Sequence, residues 1–136
     1  TYATPNGRKA GEPVSDAASP TQGADKCGPT GVIASNIALH PYKYGNGLQF
    51  NMKFHPSSVT GEEGTRKLRQ LVETFFEQGG MQLQYNVVSS EILRTAQAKP
   101  DEYRDLVVRV AGFSAYFVEL YKDLQDDLIC RTDNQF

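Results

Sequence analysis

Apolar residues occupy alternate positions over Leu48-Gln49-Phe50-Asn51-Met52-Lys53-Phe54, at 48, 50, 52 and 54. A period of two places them on one face of a half-buried strand, and His55-Pro56 stops it. The period then lengthens. Leu68, Leu71, Val72, Phe75 and Phe76 recur at helical spacing and form one apolar stripe. Thr60-Gly61-Glu62-Glu63 is a capping box with Thr60 as N-cap, and Gly79-Gly80 ends the helix. Alternation returns from Met81 to Val88, with Met81, Leu83, Tyr85 and Val87 on one face and Gln82, Gln84 and Asn86 on the other. The amide face admits two readings, a side turned to solvent or the lining of a polar cavity inside a barrel. A short helix near Ser90 to Ala98 follows, capped by Ser89 or Ser90 and ended by Pro100. Asp105 to Val110 reads as a strand, and Leu124 to Ile129 as a last helix with Asp123 as N-cap. The run from Gly31 to Leu39 is apolar but of unassigned type, and turn residues from His40 to Gly47 break it. Helix, strand, helix, strand, helix argues an α/β fold.

Residues 1–31 change the picture. Pro5, Pro13, Pro20 and Pro29 alternate with Gly7, Gly11, Gly23, Gly28 and Gly31, and large apolar side chains are scarce. Such a segment buries too little surface to order itself. It is either a disordered tail or a wrap whose partner surface lies elsewhere, on this chain or another. The 136 residues fit one domain, with an ordinary apolar fraction of 39%. A net charge of -2 gives no basic field for nucleic acid, and no apolar run is long enough to span a membrane. The start at Thr1 has no Met and no apolar leader, which suggests a chain cut from something longer. The two cysteines, Cys27 and Cys130, have no metal-binding or CxxC spacing and read as reduced, non-catalytic thiols of an intracellular protein. The two histidines, His40 and His55, each precede a proline and read as loop residues. No metal site is expected.

The candidate chemistry lies in Arg109-Val110-Ala111-Gly112-Phe113-Ser114. Taken alone, Gly112 makes a tight turn after a strand. It also has a property that other residues lack. Loss of one hydrogen from its α-carbon leaves a radical flanked by an amide nitrogen and a carbonyl. Both delocalise the unpaired electron, and with no side chain the centre can flatten without a clash. Such a glycine can store a radical for reactions beyond ordinary side chains.

On these residues the chain resembles the glycyl radical enzymes. Their signature near the C-terminus is an Arg, a β-branched residue, a small residue, the radical Gly and an aromatic. Phe113 departs from the family's more frequent Tyr; it keeps the packing and lacks a hydroxyl, so no proton transfer is assigned to it. Pro5-Asn6-Gly7-Arg8-Lys9-Ala10-Gly11-Glu12-Pro13, Ser19-Pro20 and Gly28-Pro29-Thr30 resemble the family's upstream loop. Asn51-Met52-Lys53-Phe54-His55-Pro56 and Gly79 to Val88 resemble its last barrel strands, and Gln125-Asp126-Asp127 with Arg131-Thr132 its closing helix. The local sequence is more similar to the dehydratase, decarboxylase and choline trimethylamine-lyase branch than to pyruvate formate-lyase itself.

The resemblance implies the C-terminal portion of a ten-stranded α/β barrel. Residues 1–31 would wrap, 32–104 would form barrel strands and helices, and 105–136 the radical loop and closing helix. It implies that Gly112 holds the radical, with Arg109, Val110, Ala111, Phe113 and Ser114 as its loop and Gln82, Gln84 and Asn86 lining a cavity. Arg109, in an apolar strand, is expected to pair with a carboxylate or with carbonyls in a structural role. A radical S-adenosylmethionine enzyme with an iron–sulfur cluster would install the radical, and the glycine must move out to be reached. The catalytic cysteine of the family lies upstream of this region, so the chain alone would not turn over substrate. It would serve as the C-terminal domain or small subunit of an oxygen-sensitive lyase or dehydratase, paired with a larger chain that binds the small-molecule substrate. A cytoplasmic setting, or a bacterial microcompartment, is implied. Two alternatives stand beside this: an autonomous spare-part protein that restores an oxygen-cleaved enzyme, and a non-catalytic binding module.

Overall fold

The computed structural model describes residues 2–12, 14–131 and 133–136. The expectations placed on Thr1, Pro13 and Thr132 lie outside the described residues.

The apolar run of unassigned type belongs to helix α1, Gly28–Ile37, with Pro29 in its first turn, where a missing N–H costs nothing. Strand β1 is Asn51–Phe54, shorter than the alternation from 48 predicts, and all four residues are buried. Helix α2, Gly61–Glu77, starts from Thr60, but no side-chain capping bond forms. The Thr60 Oγ1 instead donates to the Ser57 carbonyl at 3.0 Å. The helix begins tight against the chain before it: a Cβ on Gly64 would lie 2.6 Å from the Val59 carbonyl carbon. Strand β2 is Gln84–Val87 and helix α3 is Ser90–Ala98, where the Ser89 hydroxyl accepts from the Ile92 amide. Strands β3, Val107–Arg109, and β4, Ser114–Tyr116, precede helix α4, Lys122–Cys130, and strand β5, Asp133–Asn134. The N-cap of α4 is Tyr121 rather than Asp123, which sits in its first turn.

Strands β1, β2 and β5 form a parallel sheet in the order β2-β1-β5, with Asn51 opposite Gln84 and Lys53 opposite Asp133. Helix α2 makes the crossover that a parallel β1–β2 pair requires. Strands β3 and β4 form a separate antiparallel hairpin. This corrects the expectation of a ten-stranded barrel. The described residues hold one sheet of three strands and one of two, and neither closes. Strands of two to four residues in two sheets lack the continuous ladder that a closed cylinder needs.

Two apolar clusters hold these layers. One joins α1 and α2 to β1 through Val32, Ile33, Phe50, Phe54, Leu71 and Phe75. The other joins α3 and α4 to the hairpin through Leu93, Ala96, Val108, Val110, Phe117 and Leu128. Ahead of α1 the chain lies along the start of β1. The Ala18 amide donates to the Gln49 carbonyl at 3.0 Å, and the Ser19 hydroxyl bonds both the amide and the carbonyl of Asn51. Among the described residues no helix is long and apolar enough to cross a membrane.

Candidate functional site

Gly112 is at the tip of the β3–β4 hairpin. Val107 faces Tyr116, Val108 faces Ala115, Arg109 faces Ser114, and the Val110 amide donates to the Phe113 carbonyl at 3.0 Å. Ala111 and Gly112 are left as a two-residue loop. Gly112 has φ +79° and Ala111 does not enter the positive region, the pattern of a type II turn with glycine at its third position. Val108 and Val110 anchor the base of the hairpin, at 2% and 3% exposure, whereas Gly112 is exposed and Phe113 is 52% exposed. Within this chain the glycine is therefore presented outward.

Arg109 grips the turn. Its Nη2 donates to the Gly112 carbonyl at 3.1 Å, its Nη1 to the Ser114 Oγ at 3.2 Å, and its Nε to the Gln84 Oε1 at 2.5 Å. These partners are a carbonyl, a hydroxyl and an amide, with no carboxylate among them. The backbone of Arg109 is held as well. Its amide donates to Asn86 Oδ1 at 2.7 Å, and its carbonyl accepts from Asn86 Nδ2 at 2.6 Å. The Asn86 side chain thus takes the place of a neighbouring strand, at a point where β2 and β3 form no backbone ladder of their own. The amide-bearing positions of β2 turn to the hairpin: Asn86 is buried, while Val87 on the supposed apolar face is exposed. Gln82 does not join them, and its buried Oε1 has no partner among the described residues.

Two further residues close on the turn. Arg131 donates from Nη1 to the Val110 carbonyl at 3.0 Å and pairs with Asp16 at 3.2 Å and Asp127 at 3.0 Å. It ties the N-terminal segment and α4 to the hairpin. Gln49 lies over Gly112, so that a Cβ there would come 2.5 Å from its Nε2. Sequence reasoning does not place Gln49 in this role, although the alternation carries a signal, since Gln49, Asn51 and Lys53 share the polar face of the strand.

Lys53 lies beneath the hairpin's supports, 3% exposed. Its Nζ pairs with Asp133 Oδ1 at 2.8 Å and donates to Ser90 Oγ at 2.8 Å and to the carbonyls of Leu128 and Ile129 at 3.1 and 3.2 Å. Those carbonyls end α4, where the helix dipole favours a cation. Burial lowers the Lys53 pKa, and Asp133 opposes that shift. Burial pushes the Asp133 carboxyl up, but bonds from Lys53 and from the Ser90 amide outweigh it and hold the carboxyl below its ordinary range. Asn51 and Asn134 line a cavity of about 70 Å³ with Asp16, Lys53, Asp127 and Arg131. Their buried Oδ1 atoms lack protein partners among the described residues, which suits small donors such as water. Cys27 and Cys130 are free and exposed. The described residues hold no group of three or more His, Cys, Asp or Glu that could bind a metal.

The family model described as glycine radical matches residues 14–118. Indoleacetate decarboxylase of Tractidigestivibacter scatoligenes is 48% identical over 98% of this chain and 15% of its own length. Isethionate sulfite-lyase of Oleidesulfovibrio alaskensis is 47% identical over 97% of this chain and 16% of its own. The glycerol-bound B12-independent glycerol dehydratase from Clostridium butyricum superposes with a TM-score of 0.94 at 45% identity, covering 100% of this chain and 17% of that one. The chain thus spans about a sixth of the length of these relatives. With sequence and structure agreeing across nearly its whole length, the chain belongs to the glycyl radical enzyme family, in the branch that resembles glycerol dehydratase.

Proposed function

We propose that this chain is the radical-bearing portion of a larger glycyl radical lyase or dehydratase. Gly112 stores the radical and passes it to a catalytic cysteine supplied by upstream sequence or by a partner chain. The observation that carries this reading is the turn: an exposed glycine at φ +79°, at the tip of a hairpin whose base is buried. The site also suits a residue with no side chain, because φ +79° strains any other residue and a Cβ would in addition displace the end of the Gln49 side chain.

The chemistry is a hydrogen-atom exchange. In activation the Gly112 Cα–H bond breaks homolytically, and the hydrogen atom leaves with one electron to the attacking radical, which becomes a closed-shell C–H. In turnover the glycyl radical takes a hydrogen atom from the cysteine thiol, restoring the glycine and leaving the thiyl radical to act on substrate. By family, the attacking radical would come from S-adenosylmethionine and an iron–sulfur cluster on a separate activating enzyme.

Substrate choice is assigned elsewhere in the larger protein. A decarboxylase, a sulfite-lyase and a dehydratase, named for breaking different bonds, share this region at 45–48% identity. A segment held in common among different reactions carries what they share. Gln84 and Asn86 accordingly serve the hairpin in this reading, and not substrate.

The test is anaerobic. The whole protein is incubated with its activating enzyme, reductant and S-adenosylmethionine, and its EPR spectrum is recorded. A doublet split by the remaining α-hydrogen is expected, absent in Gly112→Ala. A non-catalytic turn predicts no signal, and function that survives Gly112→Ala at the cost of placing Ala in the left-handed region, about 1–2 kcal/mol.

A further inference from the structure

We propose that Arg109 acts on the radical itself through the Gly112 carbonyl, setting how the unpaired electron is shared between the α-carbon and the carbonyl oxygen. The inference rests on the assignment of the radical to Gly112. After the hydrogen atom has left, the orbital on Cα conjugates on one side with the Gly112 nitrogen and on the other with the Gly112 carbonyl. The nitrogen gives electron density and the carbonyl accepts it. A donor on the carbonyl oxygen lowers the energy of the form in which the oxygen holds more of that density, and so draws spin away from Cα.

The donor in this chain is a guanidinium. Nη2 of Arg109 lies 3.1 Å from the Gly112 oxygen. A charged donor makes the stronger kind of hydrogen bond, and a guanidinium does not lose its proton in proteins. The group is also fixed in place. Asn86 holds the Arg109 backbone at both its amide and its carbonyl, Gln84 takes Nε, and Ser114 takes Nη1, which leaves Nη2 aimed at Gly112. If closing the hairpin were the sole task, the ladder from Val107 to Tyr116 and the Val110–Phe113 bond already perform it. Arg131 bonds the Val110 carbonyl, which is not conjugated with the Gly112 α-carbon, so it has no such electronic role.

Wild-type protein labelled with ¹⁵N in its arginine side chains is activated anaerobically and examined by electron–nuclear double resonance in H2O and D2O. A ¹⁵N nucleus of the labelled guanidinium coupled to the glycyl electron is expected, and it is the deciding signal because the Gly112 amide proton is itself exchangeable and coupled. A radical that shows no ¹⁵N coupling overturns the inference while leaving the assignment to Gly112 intact. If wild type yields no doublet with a competent activating enzyme, the assignment fails and the inference with it. The second measurement is the α-hydrogen splitting in Arg109→Met, which should widen as spin returns to Cα; a splitting equal to that of wild type overturns the inference. A merely structural arginine would alter the yield of radical and leave the splitting alone. Should Arg109→Met not fold, the labelled wild type still decides.

Discussion

The bridge made by Asn86 carries a prediction that can be worked from distances. Asn86→Ala removes both bonds to the Arg109 backbone, at 2.7 and 2.6 Å. The Arg109 amide and carbonyl are then left beside a small cavity, without the paired strand that would satisfy them. A buried backbone group without a partner costs about 1–3 kcal/mol. Arg109 is half-buried, so water recovers some of this, and about 2–4 kcal/mol for the two groups together is the working figure. At 1.4 kcal/mol per tenfold, the hairpin amides should exchange with deuterium roughly 30- to 1,000-fold faster when exchange follows opening. The assay is hydrogen exchange by mass spectrometry on the whole protein, read on peptides that span 105–117. Gln84→Ala is the matched comparison. It removes one bond to the half-buried guanidinium, which can turn to water, so the effect should stay below about tenfold, near 1 kcal/mol. Equal effects of the two substitutions, or less than about a threefold change in Asn86→Ala, would refute the idea that an amide side chain stands in for a strand here.

Lys53→Met removes the cation from Asp133 and from the Leu128 and Ile129 carbonyls, so it should destabilise by about 3 kcal/mol in urea unfolding, the low end for breaking one side of a buried pair, because Ser90 still bonds Asp133 and the Ile129 carbonyl. Adding Asp133→Asn should recover some of that loss, and no recovery would argue against the pair. Asp133 has its carboxyl held low in the folded chain, so its contribution is complete above the ordinary carboxylate range near about pH 4 and is lost as the pH falls through the depressed value. The thermal midpoint of Asp133→Asn should therefore fall less between about pH 5 and pH 2 than that of wild type, and parallel curves would count against it. Gly64→Ala drives a methyl into the Val59 backbone, which cannot swing aside as a side chain would, and should cost about 1–3 kcal/mol by the same unfolding measurement.

Much of the helical structure is legible because it is local. The stripe from Leu68 to Phe76 and the stop at Gly79-Gly80 specify α2, and Ser89 with Pro100 brackets α3. The strands are less so. The alternation at 48–54 gives the strand its place but not its burial, since it says one face is wet and the structure covers both. Lys53 is the reason: a lysine on a polar face reads as solvated until α4 and β5, some eighty residues on, bring two carbonyls and a carboxylate to it. The second strand of the hairpin escapes a reading of the sequence. Ser114-Ala115-Tyr116 is too short for a period to show, and its pairing is fixed by the turn at Gly112 rather than by its own pattern. The barrel expectation fails for a different reason. It comes from the resemblance to proteins roughly six times longer, and a segment that spans a sixth of such a chain keeps their local elements without their closure.

The division of bonds around the hairpin bears on how a radical site could be both guarded and reached. Arg109, Gly112 and Ser114 belong to the hairpin itself, so the bonds among them move with it as a unit. The bonds from Asn86, Gln84 and Arg131 cross to other elements, and they are made by side chains rather than by a ladder. A ladder would have to break along its whole length before the turn could move. Side-chain bonds can break singly, each worth about 1 kcal/mol net, or somewhat more where a guanidinium is involved. The larger resistance lies at the base, where Val108 and Val110 are packed in the core with Leu93, Phe117 and Leu128. Motion of the tip past Val110 is therefore cheap, and motion of the whole hairpin is limited by apolar packing. When the hairpin moves as a whole the guanidinium on the Gly112 carbonyl stays with the glycine, whereas motion of the tip alone draws Gly112 away from an Arg109 held by Asn86 and Gln84, so an electronic effect of Arg109 would persist only through the first.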